Sequence, residues 1–374
     1  MVKENKGLYF TLSEDKLEPL CDYVIQVMKE NYPDLQIPFH SRWRHFRGPH
    51  GDCLTDMEQT YEGLPESVKG RRMMEVVVVS VLLDAGAGSS WHYLDPQSQK
   101  TLRRSEGLAF ASWELIKQGV LCATGNQPKV DALGLQNLRE EDFCRVFQVT
   151  KENPLTGVKA RLHILRQLGQ VVSSHSEVFG SGSPLELGAL YDYFGHQGRQ
   201  QGGALKASFL FQTVLEAFSS LWPSSAHWQE QQVGDVGEDE GIRGDYEVHN
   251  RIPFHKLSQW LTYSLIEPLE SGGIRVLELD QLTGLPEYRN GGLFMDGGVL
   301  CLKDKSHEDL LWEVTSPLVV EWRALTVCLY RNSADALDVL AFAASVNFGR
   351  DCFHIPAKQP NPSNSSVMPS LNRA

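Results

Sequence analysis

Residues 74–83 read MEVVVVSVLL, and whether this run is a strand or a helix decides the class of fold. Its valines favour an extended backbone, because a branched Cβ loses rotamer freedom in a helix. Hydrophobic periodicity leaves both readings open, since a fully buried strand and a fully buried helix are each apolar on all sides. The run is about half the length needed to cross a bilayer. It continues into LLDAGAGSSWHY, residues 82–93, where Asp84 and His92 bracket a series of small residues. Small side chains at that point would let a ligand approach the backbone closely.

On either side of this run the dominant pattern is helical. Ser13 is placed to cap a helix reaching about Asn31, with Leu17, Leu20, Val24 and Val27 on one face and Pro33 as its stop. Arg103–Gln118 reads as a helix closed by Gly119. Val158, Leu162, Leu165 and Leu168 recur at helical spacing, and Leu205–Leu221 is a further apolar run ended by Pro223. Pro253 suits the first turn of a helix reaching about Leu269, and Pro317 opens a last one with Leu318, Glu321, Leu325 and Cys328 on one stripe. Val276–Leu279 is a short strand candidate. Repeated strand–helix units are not visible, which argues against a doubly wound sheet. The expectation is a mainly α fold, a single large helical domain over residues 1–347 with at most a small β element. A flexible acidic loop is expected at 234–244, and a disordered tail rich in Pro, Ser and Asn at 348–374.

A net charge of −12 over 374 residues argues against a nucleic-acid surface, which needs basic patches. No run is long enough to span a membrane, and MVKENKGLYF has no apolar signal core. The seven cysteines form no CxxC pair, as expected of reduced thiols in a cytoplasmic protein. Nucleic acid and membrane are therefore not expected partners; the oligomeric state is not legible.

The polar residues of interest fall in blocks. Lys256, Gln259 and Tyr263 share one helix face by their spacing, and a lysine at a helix start calls for an anion nearby. Glu287 lies in LTGLPEYRNGG, a Gly- and Pro-shaped turn followed by Tyr288 and Arg289. It is either a turn carboxylate paired with Arg289 or a catalytic carboxylate beside a cation. Glu321 sits on an apolar stripe with Arg323 nearby, and the reading for this pair is a satisfied internal ion pair. IPFHSRWRHF places Arg42 and Arg44 around Trp43, a pattern suited either to phosphate or carboxylate recognition or to cation–π packing. Asp84, Trp91 and His92 line the small-residue segment. Asp245, His249 and His255 could ligate a metal, although their spacing fits no standard zinc pattern.

The blocks PFHKLSQWLTYSLIEPLE, LTGLPEYRNGGL, IPFHSRWRHF, LDAGAG–WHY and LVVEWRALTV closely resemble the uracil-catabolism protein family, a domain of unknown function of the fungal URC pathway. A more distant resemblance, to queuosine-5′-phosphate N-glycosylase (queuosine salvage) proteins, rests on three sets. They are Phe254, Lys256 and Gln259; Thr283, Glu287, Tyr288 and Arg289, with Glu where that family has Asp; and Glu321 with Arg323. It implies an all-helical fold similar to helix-hairpin-helix DNA glycosylases and hydrolysis of a ribosyl C–N bond. Together the resemblances imply a pyrimidine-degrading N-glycoside hydrolase that releases urea from a ribosylurea-type intermediate, possessing a 5′-phosphate or not. Glu287, Lys256 and Arg289 would be catalytic and would line one pocket. Asp84, Trp91, His92, Arg42, Arg44, Gln259, Tyr288, Glu321 and Arg323 would bind substrate, Asp84 holding the urea group. No cofactor is expected. The alternatives are a hydrolase using one divalent ion, iron or zinc, and a non-catalytic pathway scaffold. Family members continue into a Gly- and Arg-rich C-terminal segment from which this chain diverges after about Ala344. If that segment closes the site, the resemblance implies a weakened activity.

Overall fold

The computed structural model describes residues 7–37, 41–48, 51–125, 127–222, 227–228, 231–239, 250–286 and 288–332. In chain order its α-helices are α1 Leu17–Asn31, α2 Cys53–Thr60, α3 Glu66–Leu83, α4 Arg104–Lys117, α5 Ala132–Gln136, α6 Glu140–Val146, α7 Val158–Ser174, α8 Ser176–Phe179, α9 Ala189–Gln200, α10 Ala207–Phe218, α11 Lys256–Ser271, α12 Tyr288–Asp296 and α13 Pro317–Asn332. The strands are two or three residues long and occur in isolated pairs. The protein is mainly α. No described helix is long and apolar enough to cross a membrane.

The run at 74–83 is the second half of α3, and every one of its residues is buried. Valine in a helix costs up to about 0.7 kcal/mol relative to alanine. Burying each apolar side chain gains roughly 1.5–3 kcal/mol, so packing outweighs propensity here. The packing comes from α4, α7 and α9 around α3. A helix enclosed on all sides is hydrophobic all round, which is why its pattern shows no period.

The chain forms two compact units. The larger gathers residues 41–221 and 260–281, hence α2–α10 and most of α11, with Arg275–Leu277 running parallel to Ala204–Lys206. The smaller draws its described residues from segments 1–40, 222–259 and 282–370. Its core is Leu20, Cys21, Val24 and Met28 of α1 against Leu293 and Phe294 of α12, Leu318 and Leu329 of α13, and the antiparallel pair Phe10–Leu12 with Leu300–Leu302. Gly291 makes the approach of α12 and α13 possible: a Cβ there would lie 2.6 Å from the Trp322 ring.

Some local expectations need correction. Ser13 does not cap a helix with its side chain; its N–H bonds the Val299 carbonyl at 2.9 Å, and a 3₁₀ turn at Glu14–Lys16 precedes α1. Pro253 ends a strand, Arg251–Pro253, and α11 starts three residues later. The partner of that strand is Val236–Glu238, inside the stretch 234–244 read as a solvated loop. Gly237 accounts for the difference, because Phe254 and Val320 pack where its Cβ would be, at 2.7 and 2.9 Å. Residues 240–249 and the tail 333–374 lie outside the described residues.

Candidate functional site

In the smaller unit the organising residue is Asp235, which the sequence reading did not single out. Its carboxylate accepts two hydrogen bonds from Arg323, Nη1 to Oδ1 at 2.9 Å and Nη2 to Oδ2 at 2.6 Å. Oδ2 also accepts the Lys256 N–H at 3.1 Å, and the Asp235 carbonyl accepts the N–H groups of Phe254 and His255 at 2.9 and 3.0 Å. The helix α11 therefore begins against a carboxylate, which suits the positive end of its dipole. Burial works against the charge on Asp235, yet the Arg323 hydrogen bonds and charge hold its pKa below 3.8. His255 adopts a left-handed backbone, φ +46°, at the turn into α11. Burial lowers its imidazole pKa, with Asp235 opposing.

Arg323 links this cluster to the turn before α12. Its Nε donates to the Pro286 carbonyl at 3.2 Å, and its guanidinium lies 4.0 Å from the centroid of the Phe254 ring. On the same turn Asn290 Nδ2 donates to the Leu285 carbonyl at 2.8 Å. Thr283 Oγ1 donates to Gln259 Oε1 at 2.7 Å, while Gln259 Nε2 donates to the Phe254 carbonyl at 3.0 Å. Gln259, Asn290 and Arg323 are buried, so the chain on both sides of position 287 is held by desolvated polar side chains. Glu287 itself lies outside the described residues. Lys256 and Tyr288 are partly buried; Arg289 is exposed, donates to the Tyr288 hydroxyl at 3.2 Å and lies over that ring at 5.7 Å. Tyr263, further along α11, is partly buried, and burial raises its phenol pKa to about 12.

Glu321 and Arg323 are both satisfied, but not by each other. The Glu321 carboxylate accepts the backbone N–H groups of Leu8, Tyr9 and Phe10 at 2.9, 3.1 and 3.1 Å, fixing the first strand to α13. Positions two apart on a helix face different directions, so the pairing read from proximity in sequence does not form.

The larger unit holds a second charged cluster. Arg42, wholly buried in the 3₁₀ turn Arg42–Phe46, donates through Nε to Ser80 Oγ at 2.8 Å and places Nη1 3.0 Å from Asp84 Oδ2. Its backbone N–H donates to Ser264 Oγ at 3.0 Å. Burial lowers the Arg42 pKa, against Asp84 and Glu106. Burial likewise opposes the charge of Asp84, but Arg42, His45, Ser105 and Arg161 hold its pKa below 3.8. Arg161 donates to the carbonyls of Leu83, Ala85, Gly86 and Thr156, pinning the small-residue segment after α3; burial lowers it to about 10, with Asp84 opposing. Arg44 pairs with Glu267, which also accepts from Ser41 Oγ. Trp91 is buried, its indole N–H on the Phe147 carbonyl at 3.0 Å, and His92 is partly buried with its backbone bound to the Asn153 amide.

A second missed carboxylate is Glu75, inside the apolar run itself. It accepts from Arg72 at 2.6 Å and from the N–H groups of Val130 and Gly188 at 3.0 and 3.1 Å, and burial raises it to about 7 against these donors. The i, i+3 spacing from Arg72 was a readable signal. Of the suggested metal ligands, Asp245 and His249 lie outside the described residues; among those described, no three His, Cys, Asp or Glu side chains stand together as a metal group.

The fold and these two clusters define a mainly helical protein whose buried arginine–aspartate pairs fix polar turns. The chain belongs to the family described as protein of unknown function DUF1688, which matches residues 1–341. It is 32% identical over 357 residues to uracil catabolism protein 4 of Lachancea kluyveri, covering 87% of this chain and 81% of that protein. It is 36% identical over 327 residues to protein urg3 of Schizosaccharomyces pombe, covering 86% and 77%.

Proposed function

We propose that the chain acts in uracil catabolism as an N-glycosidase that hydrolyses the ribosyl C–N bond of a ribosylurea-type substrate. The name of the Lachancea relative supports the pathway. The chemistry is supported by one observation, the clamping of the chain flanking position 287 by Gln259, Asn290 and Arg323. C–N cleavage passes through an oxocarbenium-like state, so a carboxylate near the anomeric carbon is needed either as nucleophile or as base for water. Glu287 takes that role in this reading, with Lys256 and Arg289 on sugar hydroxyls or phosphate. Water adds to the anomeric carbon, its proton passes to the carboxylate, and the urea nitrogen leaves with the bonding pair and gains a proton. The mainly α fold supports the glycosylase-like architecture that belongs to this reading.

The test is Glu287→Gln, which keeps size and removes charge. The melting temperature should stay unchanged, while urea release from ribosylurea or its 5′-phosphate falls about a thousandfold, about 4 kcal/mol in barrier. Near-normal release by this variant overturns the assignment.

A further inference from the structure

Residues 308–315 of the smaller unit, EDLLWEVT, are all exposed. Within them Leu310, Leu311, Trp312 and Val314 are 54, 64, 38 and 40% exposed. Scattered exposed apolar residues are ordinary, but four in five consecutive positions form a patch of the kind used for contact with another molecule. The loop is internally fixed. The Trp312 indole N–H donates to the His307 carbonyl at 3.1 Å, and the two rings meet edge-on at 5.2 Å. The Leu310 N–H bonds the His307 carbonyl at 3.3 Å, and Ser316 bonds the Glu313 carbonyl through both its N–H (3.0 Å) and its hydroxyl (2.7 Å). Asp304 caps the preceding turn by accepting the Ser306 N–H at 2.9 Å. The turn that carries these apolar side chains is thus ordered, and the side chains remain exposed on it.

The charges around the patch select its partner. Asp304, Glu308, Asp309 and Glu313 are exposed beside it, against the basic residues Lys303 and Lys305. An acidic rim around an apolar centre repels anionic lipid and nucleic acid and attracts cations. Trp is among the side chains that anchor interfaces most strongly. We propose that residues 304–314 form a docking surface for a basic, amphipathic segment of another protein. Its apolar side chains would cover Leu310, Leu311 and Trp312, and its Lys or Arg residues would meet the acidic rim.

The probe is a labelled helical peptide with Leu on one face and Lys on the other, titrated into the full chain with fluorescence anisotropy as readout. Binding should weaken about tenfold or more in Leu310→Ser/Leu311→Ser/Trp312→Ser, whose changes fall at exposed positions. It should also weaken in Glu308→Lys/Asp309→Lys/Glu313→Lys, which leaves the apolar side chains intact, and with added salt. A matching Leu/Glu peptide should not bind. Equal binding by either triple variant, or salt-independent binding, overturns the proposal. If sedimentation shows the wild type dimeric and the serine variant monomeric, the patch joins two copies of this chain and the proposal also fails.

Discussion

The two units each bury an arginine against an aspartate, and the pairs differ in what surrounds them. In the smaller unit Asp235 and Arg323 meet in a two-bond fork, with side chains 27 and 9% exposed, and the remaining Arg323 donor reaches a carbonyl. In the larger unit Arg42 and Asp84 are 0 and 8% exposed, share one close approach, and sit among Arg161, Glu106 and His45. Both terminal nitrogens of Arg42 lack an aligned hydrogen bond among the described residues. The first arrangement is self-sufficient and still touches water. The second depends on several charges balancing each other in a dry interior, where an unpaired member cannot turn to solvent.

If that distinction holds, Arg42→Met should be the most damaging change, about 3–5 kcal/mol, because it leaves Asp84 buried without its main partner. Denaturant unfolding measures it. Arg323→Met should cost less, roughly 1–3 kcal/mol, since Asp235 keeps the Lys256 N–H and some water. Equal costs would erase the contrast. Ser264→Ala removes the acceptor of the buried Arg42 N–H and should cost about 1 kcal/mol. The contrast also reaches pH dependence. Both aspartates have pKa values held below 3.8, so their contributions are complete above that pH and are lost as pH falls through the lower folded values. Stability should therefore decline on acidification below about 3.8 in the wild type, and less steeply in Asp84→Asn and Asp235→Asn. Glu75 has the opposite sign. With a folded value of about 7 against 4.5, it lowers stability as pH rises between those values, and Glu75→Gln should flatten that slope.

The helices were legible in sequence because caps, stops and apolar spacing are local. Arg104–Lys117, Val158–Ser174 and Pro317–Asn332 lie close to where those signals put them. The nature of 74–83 was not legible, since its burial comes from α4, α7 and α9, far apart in the chain. The candidate site divides along the same line. Lys256 and Gln259 stood out by sharing one helix face and Arg323 by lying near an apolar stripe, whereas Asp235 lay in an acidic, Gly-rich stretch that looked solvated. Its partner Arg323 is 88 positions away, and no local pattern joins them. Arg323 in a buried stripe did demand a carboxylate; choosing Glu321 for it overlooked that neighbours two apart on a helix diverge.

The grip of Glu321 on the first strand has a consequence for synthesis. Leu8 and Glu321 are 313 positions apart, so a ribosome adding about 5–20 residues per second makes the strand wait roughly 15–60 s for its anchor. Through that interval the α1 face and the edge of Phe10–Leu12 have no native cover, while segment 41–221 has already emerged. The smaller unit is therefore the last to close during translation, and α1 with its neighbouring strand stays uncovered until α12, Leu300–Leu302 and α13 have been made.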